Sequence, residues 1–255
     1  MKKEKKKKAL PVKTPKHIEI KYRRTLKALT KKLRKEVSIT IIPLLRQFES
    51  EYVNDAYATT LEQAFDNLRS LYNNVHINAR IISESFVNGS NEVNKQKFYS
   101  AMNQAVGVNL QSIVQNEGLE DILVATTREN VSLIKSIPEE YFKKIESTVF
   151  GGTIQGNRAS SMIKEISHIG RVTEKRAKLI ARDQTSKLNS ALNQQRQQNL
   201  GVEEYIWRTA GDGRVRDSHA ANNGKIFKWN EPPKETGHPG QDIQCRCVAQ
   251  PIINL

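Results

Sequence analysis

At 255 residues and 37% hydrophobic content, the chain is long enough for one or two domains with a buried core, and suits long helices that are exposed or covered by a partner. Its formal net charge is +14, and its two cysteines stand one residue apart, where a bridge would close a small strained ring, so metal binding or free thiols are expected instead of a disulfide framework. No apolar run approaches the roughly 18–20 residues of a membrane span, and none follows the first lysines as in a secretory signal, so the reducing cytoplasm is the expected compartment.

The charge is gathered at the start. Residues 1–35 hold sixteen Lys/Arg against Glu4 and Glu19, while the rest of the chain holds 25 of each sign. Lys2, Lys3, Lys5, Lys6, Lys7 and Lys8 repel one another, and with Pro11 and Pro15 predict a disordered basic arm over 1–16. Such an arm is either a solubilising tail or an electrostatic grip on DNA or RNA. Arg23 and Arg24, with Lys21, Lys27, Lys31, Lys32, Arg34 and Lys35, carry the charge onto a helix and favour nucleic acid. No aromatic residues interleave, so the contact would be to the phosphates of double-stranded DNA, salt-sensitive and without sequence preference.

From Ile18 to Gln47, apolar residues at three- and four-residue steps predict a one-faced helix, with a break or kink at Pro43. A second helical region over 51–86 is expected to end at Asn88-Gly89-Ser90, a third runs from Val93 to Gln115, and Gly118 stops it. A fourth spans Leu119 to Ile137, and Pro138 starts the next, which Gly151-Gly152 ends as a hinge. A short helix, Ser160–Ile169, closes at Gly170. Thr173 then caps a helix that reaches Leu200, with Gly201 as its stop and the Gln/Asn-rich stretch 193–199 on the surface or facing a partner. The chain is therefore read as mainly α: a helical region over 17–150, a helical connector over 151–200, and a small α+β module over 201–255.

The module reads as a strand at Tyr205–Arg208, a tight turn at Gly211–Gly213, and a helical turn at Arg216–Ala221 that presents His219 inward. A type I′ hairpin follows at Asn223-Gly224, then a strand at Lys225–Phe227 and a last strand at Cys247–Ile252. So small a core often needs a staple. His219, His238, Cys245 and Cys247 are the residue types of a closed, tetrahedral structural zinc site. The bland alternative makes the cysteines reduced packing residues and the histidines local hydrogen-bonding groups. Asp212 with Arg214 or Arg216 is read as ion pairing that fixes the turn, and Gly224 as the turn residue. The run R-D-S-H-A-A-N-N, followed by a distant His, also faintly echoes His-Asn-His nucleases, whose histidine acts as a general base beside a metal.

Ile180 to Gln184, Gly201, Trp207 with Thr209, Asp212-Gly213-Arg214-Val215-Arg216, His219, Asn223-Gly224, Phe227, His238-Pro239 and Cys245-Arg246-Cys247 occur in one order. That order resembles the C-terminal domain of the phage minor head proteins typified by the Mu F protein and the SPP1 head-morphogenesis protein. Gln184 departs from the acid usual there, and the five residues Gly240 to Gln244 make a longer loop than usual. The resemblance implies a structural, non-enzymatic protein of the virion, bound at the portal in the head, which assists head assembly and the packaging or ejection of DNA. It would pass through the host cytoplasm during assembly, with the portal protein and head components as partners. The resemblance also adds support for zinc. ADP-ribosyltransferase-type effectors of the sort found attached to this domain stand with a metal-dependent nuclease as the enzymatic alternative.

Overall fold

Apolar side chains at helical spacing set most of the structure. The computed structural model describes residues 6–47, 55–73, 75–112, 114 and 116–254. Among them are the helices α1 (Lys16–Gln47), α2 (Asp55–Asn73), α3 (Val75–Val106), α4 (Glu120–Ile154), α5 (Ala159–Asn199) and α6 (Asp217–Asn222). The strands are β1 (Lys6–Lys8), β2 (Glu204–Arg208), β3 (Ile226–Lys228) and β4 (Val248–Asn254). The protein is mainly α with a small antiparallel sheet formed largely by the C-terminal module, as expected. None of the described helices is long and apolar enough to cross a membrane.

The helices are fewer and longer than their glycines and prolines suggest. α1 continues through Pro43, with Ile41 and Leu45 buried on either side. A proline inside a helix costs about 3 kcal/mol, and burying two such side chains returns about 1.5–3 kcal/mol each, so packing wins. α4 likewise runs through Pro138, itself buried beside Ile137 and Tyr141. α3 passes Asn88-Gly89-Ser90, α4 passes Gly151-Gly152, and α5 passes Gly170. These glycines serve close approach: a Cβ would stand 3.4 Å from Ile18 at Gly89, 2.6 Å from the Met162 sulfur at Gly152, and 3.0 Å from Arg34 at Gly170. Thr173 is no cap. Its hydroxyl donates to the Ile169 carbonyl at 2.9 Å, one turn back in the same helix.

The chain clusters into two compact units, neither of them a single run of sequence. One unit comprises Lys21–Ser83 and Arg128–Ala181. Its core includes Leu26, Leu33, Leu61, Phe65, Ile134 and Ile145, with the Tyr22 hydroxyl donating to Asn130 at 2.9 Å. Lys27 and Lys178 converge on Glu174 there.

The other unit comprises Met1–Ile20, Glu84–Thr127 and Arg182–Leu255 and holds the sheet, whose strand order is β1-β4-β2-β3. β2 pairs along its length with β4, from Glu204 opposite Ile252 to Arg208 opposite Val248, and β3 adds Tyr205 opposite Phe227. The expected disorder to residue 16 is not found over residues 6–15. Lys6–Lys8 pairs with Ile252–Asn254 as an edge strand, and Ala9 and Val12 pack with Phe98, Tyr99, Met102 and Val202. Apolar burial just after the lysines, and an ion pair from Lys6 to Glu204 at 2.8 Å, outweigh their repulsion. Lys2, Lys3 and Lys5 lie outside the described residues.

One face of the Gln/Asn-rich end of α5 is buried, while Gln198 and Asn199 are exposed. Asn193, Arg196 and Gln197 are each 2% exposed or less. Asn189 and Asn193 both donate to the Val12 carbonyl at 3.2 Å, and Gln197 accepts from the Trp229 indole at 3.2 Å. Polar side chains can be buried here because each meets a backbone or side-chain partner.

Candidate metal centre

The polar stripe of α5 continues upstream and positions the site. Asp183, Ser186 and Ser190 recur at three- and four-residue steps and so share one helix face. The Ser190 hydroxyl donates to the Pro239 carbonyl and the Ser186 hydroxyl to the Cys245 carbonyl. The Gln244 N–H donates to the Asp183 carboxylate at 2.8 Å. Gly240 lies so close to the helix that a Cβ there would stand 2.8 Å from Ser190, and its φ of +92° is one that suits only glycine. Gln244 is held left-handed at φ 56°, the non-glycine residue among those described that adopts this conformation. That backbone supplies the unusual local turn which two cysteines one residue apart need in order to face one ligand.

Three of the four expected donors meet. His219, Cys245 and Cys247 are buried, and their ligand atoms all lie within 4.8 Å of one another, an arrangement that could hold a metal ion. The imidazole Nδ1 of His219 faces the sulfurs of Cys245 at 3.4 Å and Cys247 at 3.6 Å. Its Nε2 lies 3.0 Å from the Asp242 carboxylate. An ionised carboxylate only accepts, so Nε2 donates to Asp242 and Nδ1 is the ring nitrogen that faces the sulfurs. α6 delivers His219, and the expected inward helical turn is found at Asp217–Asn222.

The sulfurs are surrounded by donors. The N–H groups of Gly240 and Cys247 point to Cys245 Sγ at 3.3 and 3.4 Å. The hydrogen bond from the Cys247 thiol, with these N–H groups and His219, pulls the Cys245 thiol below its ordinary value against the opposing effect of burial. The same shared proton and burial push Cys247 up. Trp207 Nε1 is buried without a hydrogen-bond partner among the described residues, yet lies where its N–H favours a Cys247 thiolate. An orphaned donor beside a thiol fits a site whose sulfurs are thiolates when a metal is bound.

His238 is the exception to the expected set. Its Nδ1 meets the Tyr205 hydroxyl at 2.9 Å, and its ring packs on Trp229 at 4.8 Å between centroids. Burial pushes its pKa down, opposed by a backbone contact with Trp229. The long loop after Pro239 lets His238 turn into the aromatic core of Tyr205, Trp207 and Trp229 while Cys245 reaches His219.

The turn residues are placed as follows. Asp212 accepts from both terminal nitrogens of Arg246, from the Arg214 N–H at 3.2 Å and from the Arg214 guanidinium at 3.3 Å. The Arg246 pair is the main cause that holds its carboxyl well below the usual range. Arg216 pairs instead with Asp242 at 3.2 Å and donates to the Ile243 carbonyl at 2.7 Å. Gly224 has φ +82°, but Asn223 at φ −60°, ψ 126° makes this a type II shape linking α6 to β3, not a I′ hairpin. Asp242, and the pairing of Arg246 with Asp212, escaped sequence reasoning because they lie in a loop with no periodicity to mark them.

Of the basic residues, Lys6, Lys7 and Lys8 are exposed on the edge strand, where lysines also discourage pairing with another sheet. In the other unit Arg24 is exposed and Arg23 half-buried.

The family model for Phage Mu protein F like protein matches residues 143–250. The region spans the end of α4, α5, α6, β2, β3 and the start of β4, so it includes every residue of the cluster. An uncharacterized protein of Haemophilus influenzae (strain ATCC 51907 / DSM 11121 / KW20 / Rd) is 32% identical over 246 residues, which cover 96% of this chain and 55% of that protein. The chain thus spans about half the length of this relative. No solved structure matches. The Mu F-like pattern of helix, Trp, His and C-R-C gains a physical sense here, because the α5 stripe holds the loop that carries the cysteines.

Proposed function

We propose that this chain is a minor head protein of a phage that acts at the portal in head assembly and in the packaging or ejection of DNA, and that it resides in the virion. The match of residues 143–250 to the Mu F-like family carries the reading. Its C-terminal module is stapled by zinc on His219 Nδ1 and the thiolates of Cys245 and Cys247, with Asp242 orienting the imidazole. The zinc supplies cohesion to a small core. The reading is non-enzymatic: His219, the general base that a nuclease would need, is engaged at both ring nitrogens. The basic N-terminal segment touches double-stranded DNA without sequence preference, which the exposed Lys7 and Lys8 and the exposed Arg24 support.

Mass spectrometry of purified particles tests the role. The chain should be present in virions, and deleting its coding sequence from the phage should leave heads that assemble or fill poorly. Virions without the chain, together with undiminished plaque formation after deletion, overturn the reading. Neutral substitutions at Lys6, Lys7, Lys8, Arg23 and Arg24 should flatten the salt dependence of duplex binding by about one unit of slope for each phosphate they cease to neutralise.

A further inference from the structure

Opening onto the cluster is a cavity of about 250 Å³ whose walls include Arg182, Arg214, Arg216 and Arg246 as well as the cluster residues themselves. These arginines arrive from three places: the α5 helix, the turn before α6, and the position between the two cysteines. Two carboxylates accompany them. Asp212 pairs with Arg214 and Arg246, and Asp242 with Arg216. Four guanidiniums against two carboxylates leave a net charge of +2. The balance is unchanged if a divalent ion sits on two thiolates.

The ion pairs also organise the cavity. Arg246 is held by Asp212 at both terminal nitrogens, and Arg216 by Asp242 and the Ile243 carbonyl. A guanidinium offers five N–H donors in a fixed fork, so these contacts leave donors over while fixing where they point. Arg182 has no ion pair among the described residues. Arginine forks suit oxyanions, with bidentate geometry that lysine lacks. The volume lies below the roughly 300–1,000 Å³ of ordinary small-molecule pockets, and is suited to one compact ion with its waters.

We propose that this cavity binds a phosphate-type dianion, either free inorganic phosphate or the terminal phosphate monoester of a nucleotide or DNA end. The tetrahedral dianion matches the excess charge of +2, which a single carboxylate would leave half uncompensated. The cavity shares His219, Cys245 and Cys247 with the metal cluster as part of its wall, and the proposal does not require the ion.

Calorimetric titration of the full chain with inorganic phosphate, at low salt and with the metal content of the same sample measured, tests the proposal. One phosphate should bind per chain, more tightly than acetate. Arg182→Gln should weaken it by about tenfold, as expected on removing one charge-assisted contact, while metal content and tryptophan fluorescence stay unchanged. Arg182 is chosen because its removal strands no carboxylate, and Arg214→Gln, at an exposed position, gives a second variant with the same expectation. A 5′-mononucleotide and an oligonucleotide with or without its 5′-phosphate distinguish the sources: a preference for the esterified forms assigns a nucleic-acid end, and a preference for the free ion assigns inorganic phosphate. Absence of phosphate binding, equal binding of acetate, or affinity unchanged in both variants overturns the proposal. Phosphate binding by a sample free of metal supports the proposal and counts against the zinc reading alone.

Discussion

Replacing Glu117 by alanine should destabilise its unit by about 3–5 kcal/mol, the cost of breaking a buried ion pair from one side. Arg196 has a fully buried side chain, and Glu117 accepts from its Nε at 2.9 Å and from a terminal nitrogen at 2.8 Å. Asn91, at 2.7 Å, and Asn94 complete the shell. A guanidinium does not lose its proton in a protein, so without Glu117 a buried charge is left with neutral amides only. Two charge-assisted hydrogen bonds at about 1.5–3 kcal/mol each give about 3–6 kcal/mol, which overlaps that range. Urea denaturation followed by tryptophan fluorescence is the assay, because Trp207 and Trp229, the two tryptophans of the chain, both lie in this unit. The midpoint should fall with the slope unchanged. The double variant Glu117→Leu with Arg196→Met should lie closer to wild type than Glu117→Ala, since no charge is then stranded. A loss below about 1 kcal/mol for Glu117→Ala, or a double variant worse than the sum of the singles, would refute the enclosed pair. Burial pushes the Glu117 carboxyl up, but Arg196 and Tyr99 outweigh it and the net direction is down. Its contribution is therefore complete above the ordinary carboxyl value of 4.5 and is lost as pH falls through the lower folded value.

Three further outcomes are expected. In elemental analysis, Cys245→Ser and His219→Ala should each lose bound zinc while His238→Gln keeps it; loss in His238→Gln would restore the four-donor set. His238 has a folded pKa below its ordinary 6.5, so the unfolded chain takes up the proton first as pH drops, and stability should be level above that value and decline beneath it. That decline should be absent in His238→Gln, as read from urea midpoints across pH, and the same slope in both proteins would disprove it. Gly240→Ala should cost about 1–3 kcal/mol through overpacking against Ser190 and a left-handed backbone, and should also weaken metal retention by displacing an N–H from Cys245; unaltered thermal stability would contradict the close approach.

The helical content was legible in the sequence because a buried stripe needs apolar residues at three- and four-residue steps, as in Tyr22, Leu26, Leu33 and Val37. The strands at Glu204–Arg208 and Val248–Asn254 announced themselves by β-branched and aromatic residues, and the order of Trp207, His219 and C-R-C pointed to the family. Helix ends were less legible. Pro43, Gly89, Pro138, Gly152 and Gly170 are local breakers, and only the packing around each decides that the helix continues.

What the sequence by itself determined is which residues could bind a metal and which segments are helical, since residue chemistry and periodicity are local properties. Which donors actually converge was decided by tertiary structure. His238 and Cys245 are seven positions apart, yet the left-handed Gln244 and the bonds from Asp183, Ser186 and Ser190 turn one to His219 and leave the other with Tyr205. The burial of Asn193, Arg196 and Gln197 was decided there too. A polar side chain reads as surface until its partners are known, and those partners, Val12, Glu117 and Trp229, lie far away along the chain.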